Sequence, residues 1–174
     1  MLRFSVILSL SSFLIATKCL HVTADQALID GICRKSPQPA FCQLCMREDP
    51  NRLSMDAIGL ARQSTDCSIS KSVKVSVDFD FISNSTVDNL IKDVCLRCQF
   101  FLGNAMKSLQ AAQRHLDGRR FKDAANAAAG AGDNRQKCAD LISGGFPVDN
   151  VFNIDFEILK EYYVNAPAII SQLG

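Results

Sequence analysis

Eight cysteines are the residues of this 174-residue chain best able to do chemistry. The stretch "GICRKSPQPAFCQLC" (31–45) holds three of them, Cys33, Cys42 and Cys45, and "CLRC" (95–98) holds two more. Cys42/Cys45 and Cys95/Cys98 are each spaced Cys-x2-Cys. Four thiolates in two such knuckles could hold a structural zinc, a single Cys-x2-Cys could be a dithiol redox site, and paired sulfurs could staple helices. The knuckles stand too far apart for a zinc ribbon, and no strand–helix–strand pattern surrounds either as a thioredoxin-type site requires. The reading therefore contains no metal and no cofactor. Oxidised staples are the remaining chemistry, and the compartment decides whether they form.

The N-terminus addresses the compartment. Arg3 precedes a nearly uninterrupted apolar run from Phe4 to Ala16, and "VTA" (22–24) is a small-residue cleavage signal before Asp25. The run is shorter than the roughly 20 residues that span a bilayer. Residues 1–24 are thus expected to be a secretory signal peptide, and residues 25–174 a single soluble domain. Cys19 leaves with the leader, so the odd set Cys33, Cys42, Cys45, Cys67, Cys95, Cys98 and Cys138 remains, and one thiol stays free or pairs between chains. Loss of Arg3 and Lys18 leaves 17 basic residues against 18 acidic ones. A near-neutral domain without a basic stripe has no electrostatic case for nucleic acid. Asn84, in "NST", is an acceptor for an N-linked glycan in a secreted chain.

The elements that must position these sulfurs read as helices. Pro37 and Pro39 break the chain between Cys33 and Cys42, so residues 25–50 can fold back as a short hairpin for a disulfide to fasten. Over 87–116, Val87, Ile91, Val94, Cys98, Phe101, Ala105, Leu109, Ala112 and Leu116 recur in steps of three and four, as on one face of a long helix. Gly118 stops it. "FKDAANAAAGAGDNRQKCADLI" (121–142) is a small-residue segment suited to close helix packing, although Gly130 and Gly132 argue against continuity. A last periodic segment runs from Phe152 to Leu173, with Pro167 expected to kink or weaken its final turns. Residues 72–81, "SVKVSVDFDF", alternate like a strand. No second segment alternates with them, and a strand without a partner is unstable, so tertiary context favours helix there. The expected fold is all-α: an up-down-up-down four-helix bundle over 54–173, preceded by the disulfide-fastened hairpin.

No catalytic constellation accompanies these helices. After the leader the chain has one histidine, His115, and it lacks the G-x-S-x-G, H-E-x-x-H, Walker and G-x-G-x-x-G signatures. An enzyme is not expected.

Cys33-x8-Cys42, then "DPNRLSMDAIGLA" (49–61), "CQFFLGNAMKSL" (98–109), "AAGAGDNRQKC" (128–138) and "VNAPAIISQL" (164–173), together resemble the plant invertase and pectin methylesterase inhibitor family. The resemblance spans essentially the whole chain after the leader. It implies disulfides Cys33–Cys42 and Cys98–Cys138, with Cys45, Cys67 and Cys95 additional to the family's framework. A Cys67–Cys95 link, or competition by Cys95 for Cys138, stays open. The resemblance also implies a function: a stoichiometric complex that blocks the substrate cleft of pectin methylesterase in the cell wall or, as the alternative, of acid invertase in wall or vacuole. A non-inhibitory secreted bundle, disulfide-linked into a dimer through an extra cysteine, is the other reading. The invertase inhibitors of this family carry a Pro-Lys-Phe turn before the third bundle helix. Arg119, Arg120 and Phe121 stand there, retaining only the Phe, and are the expected target-binding residues.

Overall fold

In the computed structural model, which describes residues 26–143 and 150–174, every regular element is helical. The expected leader (1–24) and most of the turn expected at 143–150 lie outside the described residues. Helix α1 covers 26–34 and α2 covers Pro39–Glu48. A 3-10 turn at Arg52–Ser54 leads to α3 (Ala57–Ser85), α4 (Asn89–Asp117), α5 (Phe121–Ile142) and α6 (Asn150–Ile170).

Local chemistry sets these boundaries. Pro39 opens α2 at the position where a missing N–H is harmless. The Asp56 carboxylate caps α3 by accepting from the Gly59 N–H at 2.7 Å. Asp88 caps α4 by accepting from the N–H groups of Leu90 and Ile91. Val87, read as the first residue of that periodic face, therefore precedes the helix and is fully exposed. Residues 86–88 and 118–120 are the whole of the α3–α4 and α4–α5 connections. Links this short force antiparallel neighbours. The Arg62–Asp117 ion pair joins the start of α3 to the end of α4. Helix α6 packs against both α5 and α3, which closes a four-helix bundle. Among the described residues no helix is long and apolar enough to cross a membrane.

The core runs along one stripe of each bundle helix. Leu102, Ala105, Leu109 and Ala112 of α4 meet Ala124, Ala128 and Ala131 of α5, all fully buried. Because α5 presents methyl groups, the two backbones approach closely, and helix continuity survives Gly130 and Gly132. Pro167 also leaves α6 intact; the helix continues to Ile170 and then tightens into a 3-10 turn at Ser171–Leu173.

The inner face of α3 is rich in hydroxyls. Ser68 Oγ donates to the Ser64 carbonyl and Ser72 Oγ to the Ser68 carbonyl, so their polarity is absorbed within the helix. Ser72 Oγ also meets the Tyr163 hydroxyl of α6 at 2.5 Å. Among the described residues Arg135 is the buried charge. It lies 4.2 Å from the Phe156 ring centroid and donates to the Glu157 carboxylate at 2.7 Å and to the Phe156 carbonyl at 3.2 Å. A buried guanidinium needs such partners, since an unpaired one would be strongly destabilising.

Three disulfides brace this frame. Cys33–Cys42 fastens α1 to α2 with Cα atoms 5.4 Å apart. Cys45–Cys67 ties α2 to α3 at 5.8 Å, and Cys98–Cys138 ties α4 to α5 at 4.9 Å. Asn165 of α6 holds the break between α1 and α2 from the other side. Its Oδ1 accepts from the Gln38 N–H and its Nδ2 donates to the Gln38 carbonyl, both at 2.9 Å.

Cys95 is the remaining described thiol, fully buried in the bundle. Burial pushes it up to about 11 from an ordinary value near 9. A thiol raised in the folded state contributes stability below the unfolded value and loses it as pH climbs from about 9 towards 11. At about pH 10.5 the native protein should therefore lose about 2 kcal/mol that Cys95→Ala does not lose. Urea melts at neutral pH and near pH 10.5 measure the difference; equal alkaline losses in both proteins would contradict it.

Candidate functional site

The two Cys-x2-Cys motifs do not converge on one another. Cys42 and Cys45 point into different disulfides, and Cys98 is bonded across to Cys138 while Cys95 stays reduced. With six of the seven sulfurs consumed, the zinc alternative has lost its ligands, and no cluster of metal-binding side chains occurs among the described residues. The Cys67–Cys95 alternative is replaced by Cys45–Cys67. A dimer through the odd thiol would need the α4 core face to open, because Cys95 has no exposed surface.

Arg119, Arg120 and Phe121 sit on the α4–α5 connection at the hairpin end of the rod. The Arg119 N–H donates to the Leu116 carbonyl and the Arg120 N–H to the His115 carbonyl, both at 2.9 Å. These two bonds form a Schellman closure of α4. Gly118 has an ordinary φ of −83°, and Arg119 carries the left-handed turn at φ 54°. Glycine is favoured at that position, and a side chain there costs about 1 kcal/mol. Arg120 is exposed and lies 4.0 Å from the Asp123 carboxylate. Phe121 is half-buried against the core and lies beside the terminal Gly174, so its ring is anchored inward. The turn thus offers two exposed guanidiniums and little apolar surface. Asn84 is exposed on the last turn of α3, its Nδ2 donating to the Asp80 carboxylate at 3.2 Å.

A different surface stands out. Segment 72–81 is helical throughout, and its alternation marks two apolar stripes on one helix. Val75 and Phe79 point into the core, whereas Val73, Val77 and Phe81 face solvent with 48%, 60% and 72% of their surface exposed. Leu96 and Phe100 of α4 are also more than half exposed. Between the helices runs a shallow groove of about 320 Å³, lined by Val73, Ser76, Val77, Asp80, Gln99 and Met106. Gln99 Nε2 donates to Asp80 at 3.3 Å across it. Several large exposed apolar side chains on two neighbouring helices mark interaction surfaces far more often than isolated ones do. The charges alongside are mainly acidic: Asp80, Asp88 and Asp93 against Lys92 and Arg97, with Arg97 3.8 Å from Asp93. Periodicity reasoning passes over this face because it assigns each apolar stripe to the core. The signal available was the surplus itself, since one helix cannot bury both 75/79 and 73/77/81 in the same direction.

Neither surface contains the nucleophile, base and oxyanion donors of a catalytic site, and what both can do is bind. The pattern of the plant invertase/pectin methylesterase inhibitor family matches residues 27–169. A pectinesterase inhibitor of Actinidia deliciosa is 27% identical over 123 residues, covering 71% of this chain. The match spans 66% of that relative's length, just under two thirds. Among solved structures, a mutant form of a pectin methylesterase inhibitor from Arabidopsis superposes with a TM-score of 0.70 at 20% identity, covering 82% of this chain and 95% of that one. A second, from Arabidopsis thaliana, gives 0.63 at 20% identity over 84% and 95% of the respective chains. At that identity the likeness concerns the fold.

Proposed function

Because the chain belongs to the plant invertase/pectin methylesterase inhibitor family, we propose that it inhibits a pectin methylesterase by forming a stoichiometric complex that covers the enzyme's substrate cleft. The observation that carries this reading is the exposed apolar face of α3 and α4, centred on Val77, Phe81 and Phe100, on a bundle braced by three disulfides. A preorganised surface loses little conformational freedom on docking, so more of its buried area is realised as affinity. The inhibitor performs no chemistry; exclusion of the polysaccharide is the mechanism. Pectin methylesterase is preferred to acid invertase because the curated relative is a pectinesterase inhibitor. The expected Pro-Lys-Phe turn is also reduced to Arg119, Arg120 and a Phe121 turned partly inward.

Residues 1–24 act as the secretory leader in this reading, and 25–174 as one inhibitor domain delivered to the apoplast. A glycan on Asn84 would stand at the edge of the docking face, one turn beyond Phe81 on the same helix. The test is to titrate the secreted protein into a plant pectin methylesterase and, separately, an acid invertase. Saturating inhibition of the first at a one-to-one ratio supports the proposal. Inhibition of the invertase alone transfers the reading to the family's other target, and inhibition of neither overturns it.

A further inference from the structure

The helical hairpin carries a concave surface that the docking reading does not use. Between α1, α2 and the 3-10 turn lies a cleft of about 320 Å³, more enclosed than the groove on α3 and α4 and lined chiefly by Gln26, Asp30, Gln43, Arg47 and Arg52. Ile29 and Met46, both buried, form its apolar floor. The Asp30 carboxylate accepts from Gln26 Nε2 and Gln43 Nε2, each at 2.9 Å. Those two hydrogen bonds, the Gln26 one foremost, together with Arg34 and Arg47 more distantly, hold its carboxyl below the usual range.

The arginines are less well served. Six ion pairs occur among the described residues, and none includes Arg47, Arg52 or Arg34. Arg52 Nη1 reaches a carbonyl, that of Asp49, at a long 3.4 Å. The cleft therefore presents two guanidiniums without a carboxylate at ion-pair distance, beside an ionised Asp30 and two amide carbonyls able to accept from hydroxyls. A second trough of about 510 Å³ shares Asp30 and Gln43 and carries the line onward to Arg34.

We infer that this trough binds an acidic sugar chain, its carboxylates on Arg47, Arg52 and Arg34 and its hydroxyls on Asp30 and the two glutamines. The mixture of groups selects this class. Guanidinium forks match carboxylates in geometry and charge. A fixed aspartate in the middle repels a compact, doubly charged phosphate but accepts from the hydroxyls of a uronate, whose acid and alcohol groups are spread around one ring. Two adjoining clefts that share Asp30 and Gln43, with Arg47 and Arg52 in one and Arg34 in the other, suit a linear oligomer. The choice of galacturonate as the uronate rests on the inhibitor reading. Hydrolysis of a methyl ester by a methylesterase releases methanol and leaves a free carboxylate, so the product of the proposed target is the chain that this trough would hold.

The test is an NMR titration of the isotopically labelled secreted protein with a short, fully de-esterified galacturonate oligomer. The same oligomer as its methyl ester, and inorganic phosphate, are titrated in parallel. Saturating shifts at Gln26, Gln43, Arg47 and Arg52, absent with the ester and with phosphate, support the site. Arg47→Gln with Arg52→Gln should weaken binding about a hundredfold, since each lost charge-assisted bond removes about a decade of affinity. Equal binding of the ester, displacement by phosphate, shifts mapping elsewhere, or an unweakened double variant with an unchanged melting profile would each overturn it. Inhibition is not the readout. A protein that blocks pectin methylesterase yet ignores the oligomer loses this site alone, and one that binds the oligomer without inhibiting loses the other reading.

Discussion

Replacing Cys98 and Cys138 together by alanine should lower the unfolding free energy by about 4 kcal/mol, the largest loss expected from any of the three disulfides. The bond joins positions 40 apart in sequence, against 22 for Cys45–Cys67 and 9 for Cys33–Cys42. In the chain-entropy treatment the latter two contribute about 3.4 and 2.7 kcal/mol. All six bonded cysteines are buried, so alanines at any of the three bonds also leave unfilled volume, and loop length sets the order. For a domain of this size the loss corresponds to a melting point lower by about 8–15 °C. Thermal and urea melts under non-reducing conditions, run on all three double variants, check the ranking. A Cys33–Cys42 variant melting lower than the Cys98–Cys138 variant would show that local strain or residual unfolded structure, and not loop length, governs these bonds.

How far the sequence reveals the fold depends on which interaction decides each element. The all-α bundle is legible because Ile91, Cys98, Ala105, Leu109 and Ala112 repeat at the helical period and only packing along one face explains that spacing. Segment 72–81 is the harder case. Its local alternation is stronger than its helical signal, and the helix emerges only because no second strand exists to pair with it; neighbours overrule the pattern. Gly118 reads as the helix stop, yet the left-handed residue is Arg119, because the hydrogen-bond closure and not the glycine's freedom fixes which residue turns. Gly130 and Gly132 look like breaks, yet the surrounding alanines and the packing of α5 on α4 carry the helix through them; Gly130 lies against Ser108 of α4, whereas Gly132 faces open space. The pairing of Cys45 with Cys67 rests on where the hairpin docks, a long-range fact that spacing cannot carry. Burial direction was the least legible quantity. The exposed stripe Val73, Val77 and Phe81 and the buried pair Val75 and Phe79 are chemically alike, and only the assembled bundle separates them.

That separation yields the second large effect. Phe81→Asp combined with Phe100→Asp should weaken inhibition of pectin methylesterase by about 100-fold or more while the melting point stays within about 2 °C. Both rings are mostly exposed in the free protein, 72% and 65%, so replacing them removes little core packing. In a complex the same positions would be desolvated, and truncated aromatic anchors there typically cost 2 kcal/mol or more each. Carboxylates add the penalty of burying charge opposite a surface shaped for apolar groups. Together these exceed about 4 kcal/mol, of which about 3 kcal/mol already gives the stated factor. The natural control is the triple change Arg119→Ala, Arg120→Ala and Phe121→Ala at the C-terminal end of α4. Phe100 lies 19 residues before Arg119 along that helix, so the two sites are roughly 30 Å apart. A docking surface centred on α3 and α4 near Phe81 leaves the triple variant's inhibition within a few-fold of the native protein. The opposite outcome, inhibition lost in the triple variant and kept in the double, would move the complex to the hairpin end of the rod and leave the apolar face without a role in it.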